Sequence, residues 1–238
     1  AGNAKINTGK AILYTSDSKN PKKITIAVNA GHGTKGGEKV RTLCHPDGTR
    51  KVTGGTNAAG ITTALAVSSG MTFKDGTKEA TVTLQMGHIL AQKLLNAGYD
   101  VLLIRSEEDV QLDNVARTVL ANNKADAHIA LHWDSTEKDK GAFFMSVPNS
   151  LKKMEPVASH WEGHEKLGES LISGLRGKGV KIFSKGRMDM DLTQTSYSTI
   201  PSVDIELGDK ISDHSEKQLN LLGDALVDGV NKYYGFTS

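Results

Sequence analysis

Short apolar runs along this chain alternate with longer stretches in which apolar residues recur every three or four positions. Ile24 to Val28, ITIAV, has the β-branched content of a buried strand. From Glu79, EATVTLQMGHILAQKLLNAG puts Leu84, His88, Ala91 and Leu95 at helical spacing, and Gly98 is a natural stop. YDVLLI then reads as a strand, LDNVARTVLANN as a helix and AHIALH as a third strand. A helical pattern covers residues 164–174. SVDIEL after Pro201 is a late strand, and EKQLNLLGDALVDGVNKYY closes as an amphipathic helix. Strand and helix alternating in this way predict an α/β fold around a largely parallel sheet.

Two stretches stand outside the alternation. Residues 1–23 are polar and rich in Lys, Asn and Ser, with one apolar patch from Ala11 to Tyr14. They read as a leader or linker segment carrying one added strand, ahead of a catalytic domain over 24–238. Residues 37–76 are rich in Gly and Thr and contain the turn dipeptides Asp47-Gly48 and Asp75-Gly76. So long a stretch without structure is unusual in a compact domain, so it reads as an insert with hairpins.

Composition narrows the function classes. The chain has 238 residues, 37% hydrophobic and 24% charged, as expected of a globular domain. A net charge of +2 and 5% aromatic residues give no basis for nucleic-acid binding. The single cysteine, Cys44, rules out an intrachain disulfide, and no apolar run reaches membrane-spanning length. The chain is read as a monomer.

Candidate chemistry gathers at the ends of predicted strands, where open α/β sheets place their functional groups. The first strand leads into His32, held between Gly31 and Gly33; the third ends at His132; the late strand ends at Glu206. Glu79 opens the first long helix. Two neutral imidazoles and a carboxylate form a plausible zinc set with a fourth position open for water. A second carboxylate can then move that water's proton to a leaving amine, which is amide hydrolysis. The separations match no compact zinc motif such as HExxH.

Ala30-Gly31-His32-Gly33, then Glu79, Gly98-Tyr99 and Arg105, then Asp109 and Arg117-x-x-x-Ala121-Asn122, then Asp126 and His132, then Pro201 and Glu206-Leu207-Gly208 occur in a telling order. In this the chain resembles the zinc-dependent N-acetylmuramoyl-L-alanine amidases of the Amidase_3 family, from Ile24 to the C-terminus. The resemblance implies a twisted, mostly parallel sheet with helices on both faces. It implies zinc ligands at His32, Glu79 and His132 and a catalytic glutamate at Glu206. It implies cleavage of peptidoglycan between N-acetylmuramic acid and L-alanine, by a protein secreted to the bacterial cell wall. Ala30, Thr34, Asp134, Ser196 and Asp204 depart from the usual family residues, Asp204 standing where an apolar residue is common.

Other readings compete at several positions. Glu38 is nearer His32 in sequence than Glu79 is, but no helix follows it. His128, at the same strand parity as His132, reads as a core or supporting residue, and His88 as structural on its helix's apolar stripe. Cys44-His45 is a weak metal candidate, as is the His160/His164 pair, and Asp134 is a candidate for orienting a ligand or water. Two rival functions use the same scaffold: an inactive wall-binding module, and a zinc peptidase cutting within the stem peptide.

Overall fold

The structure, a computed structural model, describes residues 2–237. Its strands are β1 (Ile12–Tyr14), β2 (Thr25–Ala30), β3 (Arg41–Leu43), β4 (Thr63–Leu65), β5 (Asp100–Leu103), β6 (Ala127–His132), β7 (Ala142–Ser146), β8 (Ile182–Asp189) and β9 (Ser202–Glu206). Its helices are α1 (Glu79–Asn96), α2 (Asn114–Lys124), α3 (Val157–Gly177), α4 (Thr193–Tyr197) and α5 (Glu216–Tyr234). Seven strands form one sheet in the order β1-β5-β2-β6-β9-β7-β8.

The middle of that sheet, β5-β2-β6-β9, is parallel throughout. β1 joins β5 antiparallel at one edge, and β7 runs antiparallel to β9 toward the other. The sheet is therefore mostly parallel, as expected, with helices on both faces. On one face α1, α3 and α5 bury Met86, Leu90, Leu171 and Leu226 against Ile26, Val28, Ile129 and Val203. On the other, Ala116 and Ala121 of α2 pack on Ala27, Leu102 and Ile104. The Asp113 side chain caps α2 by accepting from the Ala116 amide at 2.8 Å, satisfying a donor the helix itself cannot.

Several local expectations need correction. The buried stripe of α1 is Val82, Met86, Leu90, Ala91 and Leu94, so the sequence phase is shifted. His88 is exposed rather than on the apolar stripe, with Nε2 at 2.9 Å from the Ser106 carbonyl. Helix α3 starts at Val157, well before residue 164. Strands β7 and β8 lie in a region where the sequence suggests none. Residues 37–76 do contain a hairpin-like pair, β3 with β4, antiparallel.

The parallel register decides where the functional groups stand. β2 and β6 align Ala30 with Leu131, and β6 and β9 align His132 with Glu206. The carboxyl ends of three neighbouring strands thus meet at one edge of the sheet, where His32 follows β2 by two residues.

Candidate metal centre

His32 projects from a tight turn after β2 with a left-handed backbone, φ 66°, a conformation that costs a non-glycine residue energy and needs outside support. Two buried arginines supply it. Arg117 donates to the carbonyls of Ala30 at 3.1 Å and His32 at 2.6 Å, and to Asn29 Oδ1 at 3.0 Å. Arg105 donates to the carbonyls of Ala30 at 3.2 Å and Gly31 at 3.1 Å. Burial lowers Arg105 to about 10 and Arg117 to about 9, so both remain cationic near neutral pH.

The His32 ring is fixed by its far nitrogen. Nδ1 lies 2.8 Å from the Ser68 carbonyl, which can only accept, so Nδ1 carries the proton and Nε2 presents a lone pair. Glu79 is the first residue of α1, at the positive end of the helix dipole. Its Oε2 accepts from the Met71 amide at 2.9 Å and its Oε1 from the Trp133 amide at 3.0 Å. One segment therefore does two things: β6 ends in the His132 ring, and the next amide holds Glu79 in place.

The three groups converge. His32 Nε2 is 2.9 Å from Glu79 Oε1, His132 Nδ1 is 3.3 Å from the same oxygen, and the two ring nitrogens are 3.1 Å apart. Ligands at about 2.0–2.1 Å from a tetrahedral zinc stand about 3.3 Å from one another, so the donor set has the right size as well as the right chemistry. Lone pairs crowded this closely repel unless a cation lies among them. Among the described residues, His32, Glu79 and His132 form the cluster of this kind.

The electrostatics agree. Burial pushes Glu79 up, but the adjoining His132 and His32 rings outweigh it and hold the carboxylate well below its usual range. Burial pulls His132 down, yet Asp204, then Glu79, then Glu206, lift it to about 10. A site this negative favours a cation. Glu206, whose Cα is paired with that of His132, is pushed well above the carboxylate range by burial and then by Asp204. Its Oε2 is buried without a partner. A carboxyl with raised proton affinity suits a group that must both take and return a proton.

These four side chains line a cavity of about 530 Å³. The insert forms much of its wall, through Lys51, Thr56, Asn57, Ser69, Gly70 and Met71. Asp191 ties the insert down. Its carboxylate faces the buried His45 Nε2 at 2.9 Å and accepts from the Val52 amide at 2.7 Å, while its carbonyl accepts from Lys51 Nζ.

The competing candidates lie outside the donor cluster. Glu38 is exposed and outside the cluster. The Cys44 thiol donates to the Thr62 carbonyl at 3.1 Å, and His45 is engaged with Asp191. His164 is buried in mid-helix, its Nδ1 accepting from the Ser202 amide at 3.0 Å. His128 is fully buried, its Nε2 3.2 Å from Asn29 Nδ2, and burial lowers it to about 3. Asp134 lies on the cavity wall, paired with Lys140 at 2.7 Å. Sequence reasoning missed Ser68, Met71 and Trp133 as supports, because they act through backbone atoms that carry no residue signature.

Comparison with known proteins bears on the same region. A family model described as N-acetylmuramoyl-L-alanine amidase matches residues 26–226. Among solved structures, the amidase Ami1 of Mycobacterium smegmatis superposes with a TM-score of 0.72 at 17% identity, covering 90% of this chain and 98% of that one. Apo Ami1 of Mycobacterium abscessus gives 0.68 at 20% identity, covering 90% and 100%. An N-acetylmuramoyl-L-alanine amidase of Clostridium difficile 630 gives 0.64 at 18%, covering 91% and 99%. At these identities the structural likeness establishes the fold. No curated protein sequence matches the chain significantly.

Proposed function

The chain belongs to the N-acetylmuramoyl-L-alanine amidase family, Amidase_3, and on that premise we propose that His32, Glu79 and His132 hold a zinc ion while Glu206 moves the proton. The reaction is hydrolysis of the amide joining the lactyl group of N-acetylmuramic acid to L-alanine in peptidoglycan. The observation that carries the metal reading is the convergence of three lone-pair donors within 3.3 Å beside further buried carboxylates.

When bound, zinc polarises a carbonyl and lowers the pKa of water to about 7. The protein's own residues do the rest. Ser68 fixes the His32 tautomer, and the Met71 and Trp133 amides hold Glu79 against rotation. Glu206 takes a proton from the attacking water and delivers it to the departing L-alanine nitrogen. The insert excludes water from one side and orients the glycopeptide in the cavity. Among the described residues no helix is long and apolar enough to cross a membrane. The family's peptidoglycan chemistry is the ground on which we place the enzyme's action at the cell wall.

Mass spectrometry of peptidoglycan digested with and without a chelator tests this reading. It expects intact glycan strands, stem peptides with a free L-alanine amino terminus, and loss of both products on chelation. New amino termini within the stem peptide would favour the peptidase reading, and undiminished release from metal-free protein would contradict the zinc.

A further inference from the structure

We propose that Asp204 is a positioning residue for the metal centre: its carboxylate keeps the proton of His132 on Nε2 and so presents Nδ1 as the donor atom. The inference rests on the zinc reading above.

Asp204 lies on β9 two residues before Glu206, and its Cα is paired with that of Ala130, midway between His128 and His132 on β6. Ala130 contributes only a methyl group on that face, which leaves room for the carboxylate to reach beneath the His132 ring. Asp204 Oδ2 lies 3.5 Å from His132 Nε2. Its other oxygen, Oδ1, is buried without a partner. A buried carboxylate is costly unless something offsets its charge. Within salt-bridge distance of Asp204 among the described residues, that something is the His132 ring.

The ring has two ends and, when neutral, one proton. A proton on Nδ1 would point at Glu79 Oε1 and His32 Nε2 and occupy the place a metal needs. A bare Nε2 would turn its lone pair toward a carboxylate. With the proton on Nε2, both conflicts disappear. The same arrangement makes the imidazole a stronger donor, because an anion behind the ring raises its basicity. Asp204 thus does for His132 what the Ser68 carbonyl does for His32.

The test measures zinc affinity by competition with a chromophoric chelator on the full chain, for wild type, Asp204→Asn, Asp204→Leu and His32→Ala. Asp204→Leu should lose roughly 10–100-fold in affinity, the range seen when such supports are removed. Asp204→Asn keeps an accepting oxygen without its charge and should lose less. As a second readout, the proton spectrum of the zinc-loaded wild type should show the His132 Nε2–H shifted downfield. In Asp204→Leu that resonance should move upfield or exchange away. Wild-type affinity with an unchanged resonance in a folded Asp204→Leu overturns the proposal. Should that variant fail to fold, wild-type affinity in Asp204→Asn overturns it instead. Zinc uptake that fails in His32→Ala but persists in Asp204→Leu defeats this inference alone, whereas a wild type that takes up no zinc defeats the function it rests on.

Discussion

Gly31 has no side chain because His132 fills the space where one would stand. A Cβ there would lie 2.2 Å from the His132 ring. Gly70, at φ +83°, is confined in the same way, with an added Cβ 2.9 Å from both Glu79 and His32. Gly31→Ala should therefore displace His132, lower zinc stoichiometry and cost about 1–3 kcal/mol through overpacking. Gly54→Ala meets open space and serves as the control. Metal analysis and thermal melts of both variants check this, and a Gly31→Ala protein with full zinc would contradict it. At this scale the sequence shows a good deal. His32, His132 and Glu206 mark themselves by standing at or just beyond strand ends, and Glu79 by opening a helix. What the sequence hides is the need for Gly31 to be glycine and the support of Ser68, Met71 and Trp133, since those depend on contacts between distant segments.

Among the elements, the insert is tied to the segment before α4 through Asp191. His45 and Asp191 are both fully buried and 2.9 Å apart, and Asp191 also takes the Val52 amide. Removing one partner and leaving a buried polar group unsatisfied typically costs about 1–3 kcal/mol. Asp191→Ala should release residues 45–61 to faster hydrogen exchange and raise KM on intact wall, while zinc affinity stays near that of the wild type. Unchanged exchange in that segment would show that the hairpin holds by other means. The elements that escaped sequence reading have physical reasons for doing so. β8 is an edge strand with exposed residues such as Ser184 and Lys185 and a glycine at φ +83°, so its alternation is broken. The β7–β8 register also shifts between Ala142 and Phe144. In α1, Leu84, Ala91 and Leu95 lie on or beside the buried stripe and share its period, so spacing alone cannot choose the phase.

For the whole molecule, the alternation of strand and helix made the sheet and its layers legible, because buried parallel strands are apolar runs and surface helices are amphipathic. His128 was legible as a core histidine from its place on β6, and its burial at 0% exposure shapes the response to acid. His128 sits fully buried at about 3, far below its ordinary value near 6.5. Its folded pKa is lowered, so the unfolded chain binds the proton more readily, and stability is complete above about 6.5 and falls as pH drops toward about 3. By pH 4 this histidine alone should cost about 3 kcal/mol. Asp204 and Glu206, raised by burial, pull the other way. The comparison that isolates His128 is therefore between wild type and His128→Gln. Denaturant melts at pH 7, 5 and 4 should show the wild type losing more stability on acidification than the variant, and parallel losses would contradict the assignment.

The division of labour between the two glutamates is the central claim, and one paired measurement tests it: zinc content and amidase rate on the same preparations of Glu79→Ala and Glu206→Gln. Glu79 is placed as a ligand, so Glu79→Ala should lose zinc first and activity in consequence. Glu206 is placed as the proton carrier, so Glu206→Gln should keep nearly full zinc while its rate falls by about 10²–10⁴ or more. A Glu206→Gln enzyme that retained both its zinc and its rate, or that lost its zinc while Glu79→Ala kept it, would contradict the account.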